Sequence, residues 1–134
     1  MGKRTSKELL ERIDRFSKLK ANWDGEDALP IDNSIIELSK DVLKEIESIL
    51  KKEKCNLDIF VYPTWLGGIQ FEMDRGCDKF IAIELERKDS KYHIHYLKDD
   101  DEDIYVSRDN DYDIALVKKL IKEFVGNSNG KNRN

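Results

Sequence analysis

The chain has few residues with which to brace itself covalently or to punctuate its backbone. Its 134 residues include two cysteines, two prolines and two histidines. Cys55 and Cys77 form no C-x-x-C pair, which excludes a zinc-finger framework and a disulfide-stapled miniprotein. No apolar run approaches the roughly 20 residues of a membrane span. The charged segment Met1–Glu8 has no apolar run behind it, so it does not read as a secretory leader. These features predict a cytosolic chain with reduced thiols and no membrane association. Basic charge is not in excess either: 24 lysines and arginines face 28 acids, for a net charge of −4. The electrostatic footprint of a nucleic-acid binder is therefore missing, and no nucleic-acid partner is expected.

What is present is a balanced, heavily charged surface over a sizeable apolar complement, 39% of the residues each. A chain of this length buries about two thirds of its unfolded surface without staples or metals. One domain is expected over residues 1–126, with a disordered tail at 127–134. Thr5-x-x-Glu8 is a capping box that opens a helix over residues 5–20, with Leu9, Ile13 and Phe16 in its stripe. Asp32 caps a second helix over 33–52, with Ile31 and Ile36 placed as a hydrophobic staple. Its broad apolar face runs from Ile35 to Leu50 and demands a partner layer.

The period then changes from 3.6 to 2. Strands are predicted over 57–62, 69–74, 79–87 and 91–98, with a short fifth at 104–106. Residues 112–125 return to helical spacing, with Asp111 or Asp113 as cap and Gly126 as stop. The order α-α-β-β-β-β-β-α, with one apolar sheet face, predicts an α+β two-layer sandwich. It consists of a four- or five-stranded antiparallel meander with two N-terminal helices and one C-terminal helix on one face.

The other sheet face carries the candidate chemistry. Pairing by hydrophobic pattern sets Phe71 opposite Ile83 and Ile83 opposite Ile94. It gathers Gln70, Glu84 and His93 in one row, and Glu72, Ala82 and His95 in the next. His93 and His95 beside carboxylates are the candidate metal ligands or acid–base pair. The plainer alternative is a polar surface or a protein-binding face, since cross-strand charge pairs are routine. Asp109-x-Asp111-x-Asp113 has the first ligands of a calcium loop, but Ile114 and Leu120 stand where the turn glycine and bidentate glutamate belong. Cys77 in a turn has no histidine placed beside it by sequence, so nucleophilic chemistry is not expected there. No cofactor is implied.

Each tryptophan sits in an unusual loop containing a proline or following one: Asn22-Trp23-Asp24-Gly25 through Pro30-Ile31, and Tyr62-Pro63-Thr64-Trp65-Leu66-Gly67-Gly68. The second is no phosphate loop, because a strand rather than a helix follows the glycines. Trp23 is expected to plug one end of the sandwich. Trp65 and Tyr62 are the expected contacts for a partner. With Trp23 and the polar-face residues Glu72, Glu84, His93 and His95, they make up the candidate binding set of a non-enzymatic protein-binding module, antitoxin-, immunity- or inhibitor-like. The competing function is a metal-binding or acid–base protein using His93 and His95.

The same two loops resemble a group of small bacterial proteins of unknown function. These share N-W-D-G-x-G-A-x-P-I followed by P-T-x-x-G-G-I-x-L-E-W. The likeness spans about residues 20–87, and it departs at Asp27, where the pattern has glycine, and at Met73, where it has tryptophan. It transfers no catalytic or ligand-binding residue. It implies a bacterial or phage setting, and it implies that the two loops sit together.

Overall fold

The change of period after the second helix is where the architecture changes from helix to sheet. The computed structural model describes residues 4–74, 79–89, 91–100 and 103–133. Its elements are α1 (Ser6–Phe16), α2 (Asn33–Lys52), β1 (Phe60–Pro63), β2 (Ile69–Asp74), β3 (Lys79–Lys88), β4 (Lys91–Asp100), β5 (Asp103–Asp111) and α3 (Ile114–Arg133). The strands pair antiparallel in chain order, β1-β2-β3-β4-β5. The helices cover one sheet face, which gives a two-layer α+β sandwich.

Local signals account for the helix bounds. Thr5 and Glu8 form the reciprocal capping box of α1. α1 stops at Phe16, short of residue 20, because Ser17, Lys18 and Leu19 donate their backbone N–H to residues three back. Such tight turns end an α-helix. Asp32 caps α2 by accepting from the Ser34 N–H at 2.7 Å, and both staple residues, Ile31 and Ile36, are buried. At its far end Lys54 takes a left-handed φ of 55°, and Cys55 N–H returns to the Leu50 carbonyl. That closure satisfies a carbonyl the helix would otherwise leave open. Asp113 accepts from Ala115 N–H at the start of α3. α3 then runs past Gly126, the expected stop, into the stretch expected to be disordered. Phe124 and Val125 are buried on the core, so the helix is docked where it reaches the glycine and no proline follows to break it.

The core lies between the layers. Ile69, Phe71, Met73, Ile81, Ile83, Leu85 and Ile94 project from the sheet, and all are fully buried. They meet Leu9, Ile13, Ile35, Val42, Leu43, Ile46, Val117 and Ile121 from the helices. Each such side chain contributes roughly 1.5–3 kcal/mol by leaving water. α1 also closes the edge of the sheet: Arg12 Nε donates to the Val61 carbonyl at 2.7 Å, occupying an acceptor an edge strand leaves open.

Three details of the sheet differ from the expectation. β5 spans Asp103–Asp111 rather than 104–106, so that Asp111 ends a strand and Asp113 alone caps the last helix. β1 begins at Phe60 rather than residue 57. The β3–β4 register is also displaced by two residues: Ile83 pairs with Tyr96, and Leu85 pairs with Ile94. The cause is the turn. Lys88 pairs directly with Lys91, so the turn starts at Asp89, with φ 53°, whereas Ile83 opposite Ile94 would start it at Lys88; Asp tolerates the left-handed region better than Lys. Cys77 and part of the acidic turn at 99–103 lie outside the described residues.

Candidate binding corner and the polar sheet face

The loop from residue 22 to residue 31 is shaped by its own polar side chains. Asn22 and Asp27 take left-handed φ values of 64° and 70°, and Gly25 takes 79°. Asn and Asp tolerate that region better than other side-chain-bearing residues. Asp24 Oδ1 accepts from the N–H groups of Glu26 and Ala28, and Asn22 Oδ1 accepts from that of Asp27. Asn22 N–H closes the loop on the Ala28 carbonyl at 2.6 Å. Trp23 lies across this frame, half-buried, with its indole N–H donating to the Leu29 carbonyl at 2.7 Å.

The second loop is a tight hairpin. Thr64 N–H donates to the Gly68 carbonyl, Gly67 N–H returns to the Thr64 carbonyl, and Thr64 Oγ1 accepts from Gly68 N–H. Gly67 has a φ of 88°. Trp65 and Leu66 therefore occupy the tip. The two loops meet: Leu29 N–H donates to the Trp65 carbonyl at 2.8 Å. A Cβ at Gly67 would stand 3.0 Å from the Pro30 carbonyl.

This junction leaves three side chains in water. Leu29 is 50% exposed, Trp65 61% and Leu66 45%, and they are the exposed large hydrophobics among the described residues. The sequence marks Trp65 but not Leu29 or Leu66. Neither differs in type from a core leucine, and only the turn geometry turns them outward.

The polar sheet face begins at the base of the same hairpin. One row runs Tyr62, Gln70, Glu84, His95, and the next runs Phe60, Glu72, Ala82, Leu97. The displaced register thus corrects the expected rows: His95 rather than His93 stands beside Glu84, and His93 pairs with Glu86. His95 Nε2 lies 3.1 Å from Glu86 Oε1. Glu86 itself is buried, a residue that sequence reasoning left out of the candidate set. Burial pushes the Glu84 carboxyl above its usual range, opposed by a hydrogen bond from Thr64; neighbouring Glu86 raises it further and His95 lowers it. Tyr62 donates to Glu72, whose other oxygen accepts from Gln70 at 2.7 Å. Burial, then the Glu72 bond, pushes the Tyr62 hydroxyl up to about 12. Tyr62 and Glu72 are thus tied to each other, which makes them support for the face more than free contacts.

Metal binding gains no support from this arrangement: among the described residues no three His, Cys, Asp or Glu side chains are grouped to hold an ion. A shallow groove of about 590 Å³ lies elsewhere, between the α1 N-terminus and the end of α2, lined by Arg4, Ser6, Glu47, Lys51 and Cys55 among others. Within it Ser6 hydrogen-bonds Glu47, and Arg4 is paired with Asp58 outside the lining.

Fold and corner together define a two-layer α+β protein with an exposed apolar projection beside an acid- and histidine-bearing sheet face. Comparison with known proteins returns no matching family model, no matching curated protein and no matching solved structure. Among the described residues no helix is long and apolar enough to cross a membrane.

Proposed function

We propose that the chain is a non-enzymatic protein-binding module of bacterial or phage origin, acting as an antitoxin, immunity protein or inhibitor does, by occupying a partner's surface. One observation carries this: Leu29, Trp65 and Leu66 are exposed together on a corner where one backbone hydrogen bond joins two internally bonded loops. Exposed apolar side chains scattered singly need no explanation, but a cluster on a fixed support is typical of an interface anchor. A backbone already fixed by its own turns has less to order on docking. A photo-crosslinking residue at position 66, expressed in the native host, tests it. One protein joined in stoichiometric yield, and lost when Trp65→Asp is added, is the expected result. No discrete adduct, or an adduct indifferent to Trp65→Asp, counts against it.

The His95–Glu86 contact favours a second reading, acid–base chemistry on the polar face. His95→Ala separates the two. It leaves adduct formation at position 66 intact if the corner is the working surface.

A further inference from the structure

The corner and the sheet face are one continuous surface, because the hairpin that lifts Trp65 and Leu66 is built on the acidic rows. The Thr64 hydroxyl lies close enough to Glu84 to oppose the rise of its carboxyl, and the Cβ position of Gly68 lies 3.2 Å from Cβ of Glu86. The two rows from Tyr62 to His95 and from Phe60 to Leu97 contain no lysine or arginine. Lys91 stands at the hairpin end, beyond the row that holds Glu86 and His93. Arg4 is drawn off to the β1 edge, over the Phe60 ring and onto Asp58. Glu72 already has its donors in Tyr62 and Gln70. Among the described residues, Glu84 is the carboxylate beside the hairpin base to which no lysine or arginine is bonded. Burial holds it partly desolvated, and an arriving cation would relieve that cost.

We infer that the docking partner is a polypeptide segment presenting an apolar or aromatic side chain next to a lysine or arginine, the apolar group seating on Leu29, Trp65 and Leu66 and the cation on Glu84. This rests on the protein-binding reading of the corner. Complementary charge fixes register and excludes acidic competitors. The exposed indole of Trp65 adds a second attraction for the cation through its ring face.

Selection from a displayed library of random short peptides against the full-length protein tests the inference, with the Trp65→Asp chain as counter-selection. Recovered peptides are expected to be enriched in Lys or Arg adjacent to Leu, Ile, Phe or Trp. A synthetic copy of the leading peptide is expected to bind Glu84→Gln about tenfold more weakly. Peptides that require Trp65 but show no basic enrichment, or that bind Glu84→Gln equally well, overturn the cation pairing and leave the docking corner standing. Peptides indifferent to Trp65→Asp, or no binders at all, overturn the corner itself. Sedimentation of the wild type supplies the remaining arm: a dimer abolished by Trp65→Asp would give the surface to a second copy of this chain and overturn the inference.

Discussion

The backbone N–H of Leu29 donates to the carbonyl of Trp65 at 2.8 Å, so a loop between two helices and a loop between two strands form one corner. The bond uses only backbone atoms, and its partners come together only if each loop has its own turn in place. The corner's stability therefore depends on the residues that permit those turns.

Three glycines grade that dependence. Gly25 has φ 79° and open space around its Cβ position, so Gly25→Ala costs only the left-handed penalty, about 1–2 kcal/mol. Gly67→Ala adds a contact 3.0 Å from the Pro30 carbonyl and should cost more. Gly68→Ala should cost most, because its Cβ would stand 2.4 Å from the Leu85 carbonyl, a backbone atom in the middle of the sheet. Urea denaturation should give midpoints falling in that order.

The two tryptophans should respond oppositely to substitution. Trp23→Phe removes the indole bond to Leu29 and should cost about 1 kcal/mol in unfolding free energy. Trp65→Ala removes a mostly exposed side chain and should leave stability within about 0.5 kcal/mol, while abolishing crosslinking from position 66. Equal destabilisation by both changes would make Trp65 a structural residue.

Asp27 holds a left-handed φ of 70°, a conformation that glycine adopts without strain. Asp27→Gly should be neutral or stabilising by up to about 1 kcal/mol, since relief of left-handed strain competes with the extra chain entropy of glycine. Asp27→Val should lose about 1–2 kcal/mol, as a β-branched residue resists that region. A thermal melt of the three proteins checks the order.

Two carboxylates should give pH profiles of opposite sign. The Glu84 carboxyl is raised, chiefly by burial, so its contribution to stability is complete below the unfolded value and is lost as pH rises through the folded one. Glu84→Gln should therefore be more stable than wild type near pH ~7.5, and the difference should vanish near pH ~4. Asp32 is lowered, first by its hydrogen bonds to Ser34 and then by Arg87. Its contribution is present above the unfolded value and is lost as pH falls through the folded one. Asp32→Ala should cost about 1 kcal/mol at neutral pH, with the gap narrowing in acid. Urea midpoints across the pH range would show both trends.

Much of the architecture could be read from local pattern. The bounds of α2 and β2 follow from the Asp32 cap, the Pro30 breaker and strict alternation from Ile69 to Asp74, all of which act over a few residues. The α1 end, the α3 extension and the β3–β4 register were not legible in the same way. Each depends on something pattern does not encode: a switch to three-back hydrogen bonding, the docking of Phe124 and Val125, and the start of the β3–β4 turn at Asp89 rather than Lys88. The register slip moved by an even number of residues, so it kept every side chain on its predicted face while exchanging His93 for His95 beside Glu84.

The sequence by itself determined the alternation of helix and strand, the apolar sheet face and the special backbone of both loops, because those follow from spacing and from Gly, Asn, Asp and Pro at single positions. Tertiary structure alone decided that Leu29 and Leu66 join Trp65 in water, that Trp23 stays half-buried outside the core rather than plugging the sandwich, and that Glu84 stands at the hairpin's base. A leucine carries no mark of which side of a turn it will occupy. That is settled only when two distant segments exchange the hydrogen bond between Leu29 and Trp65.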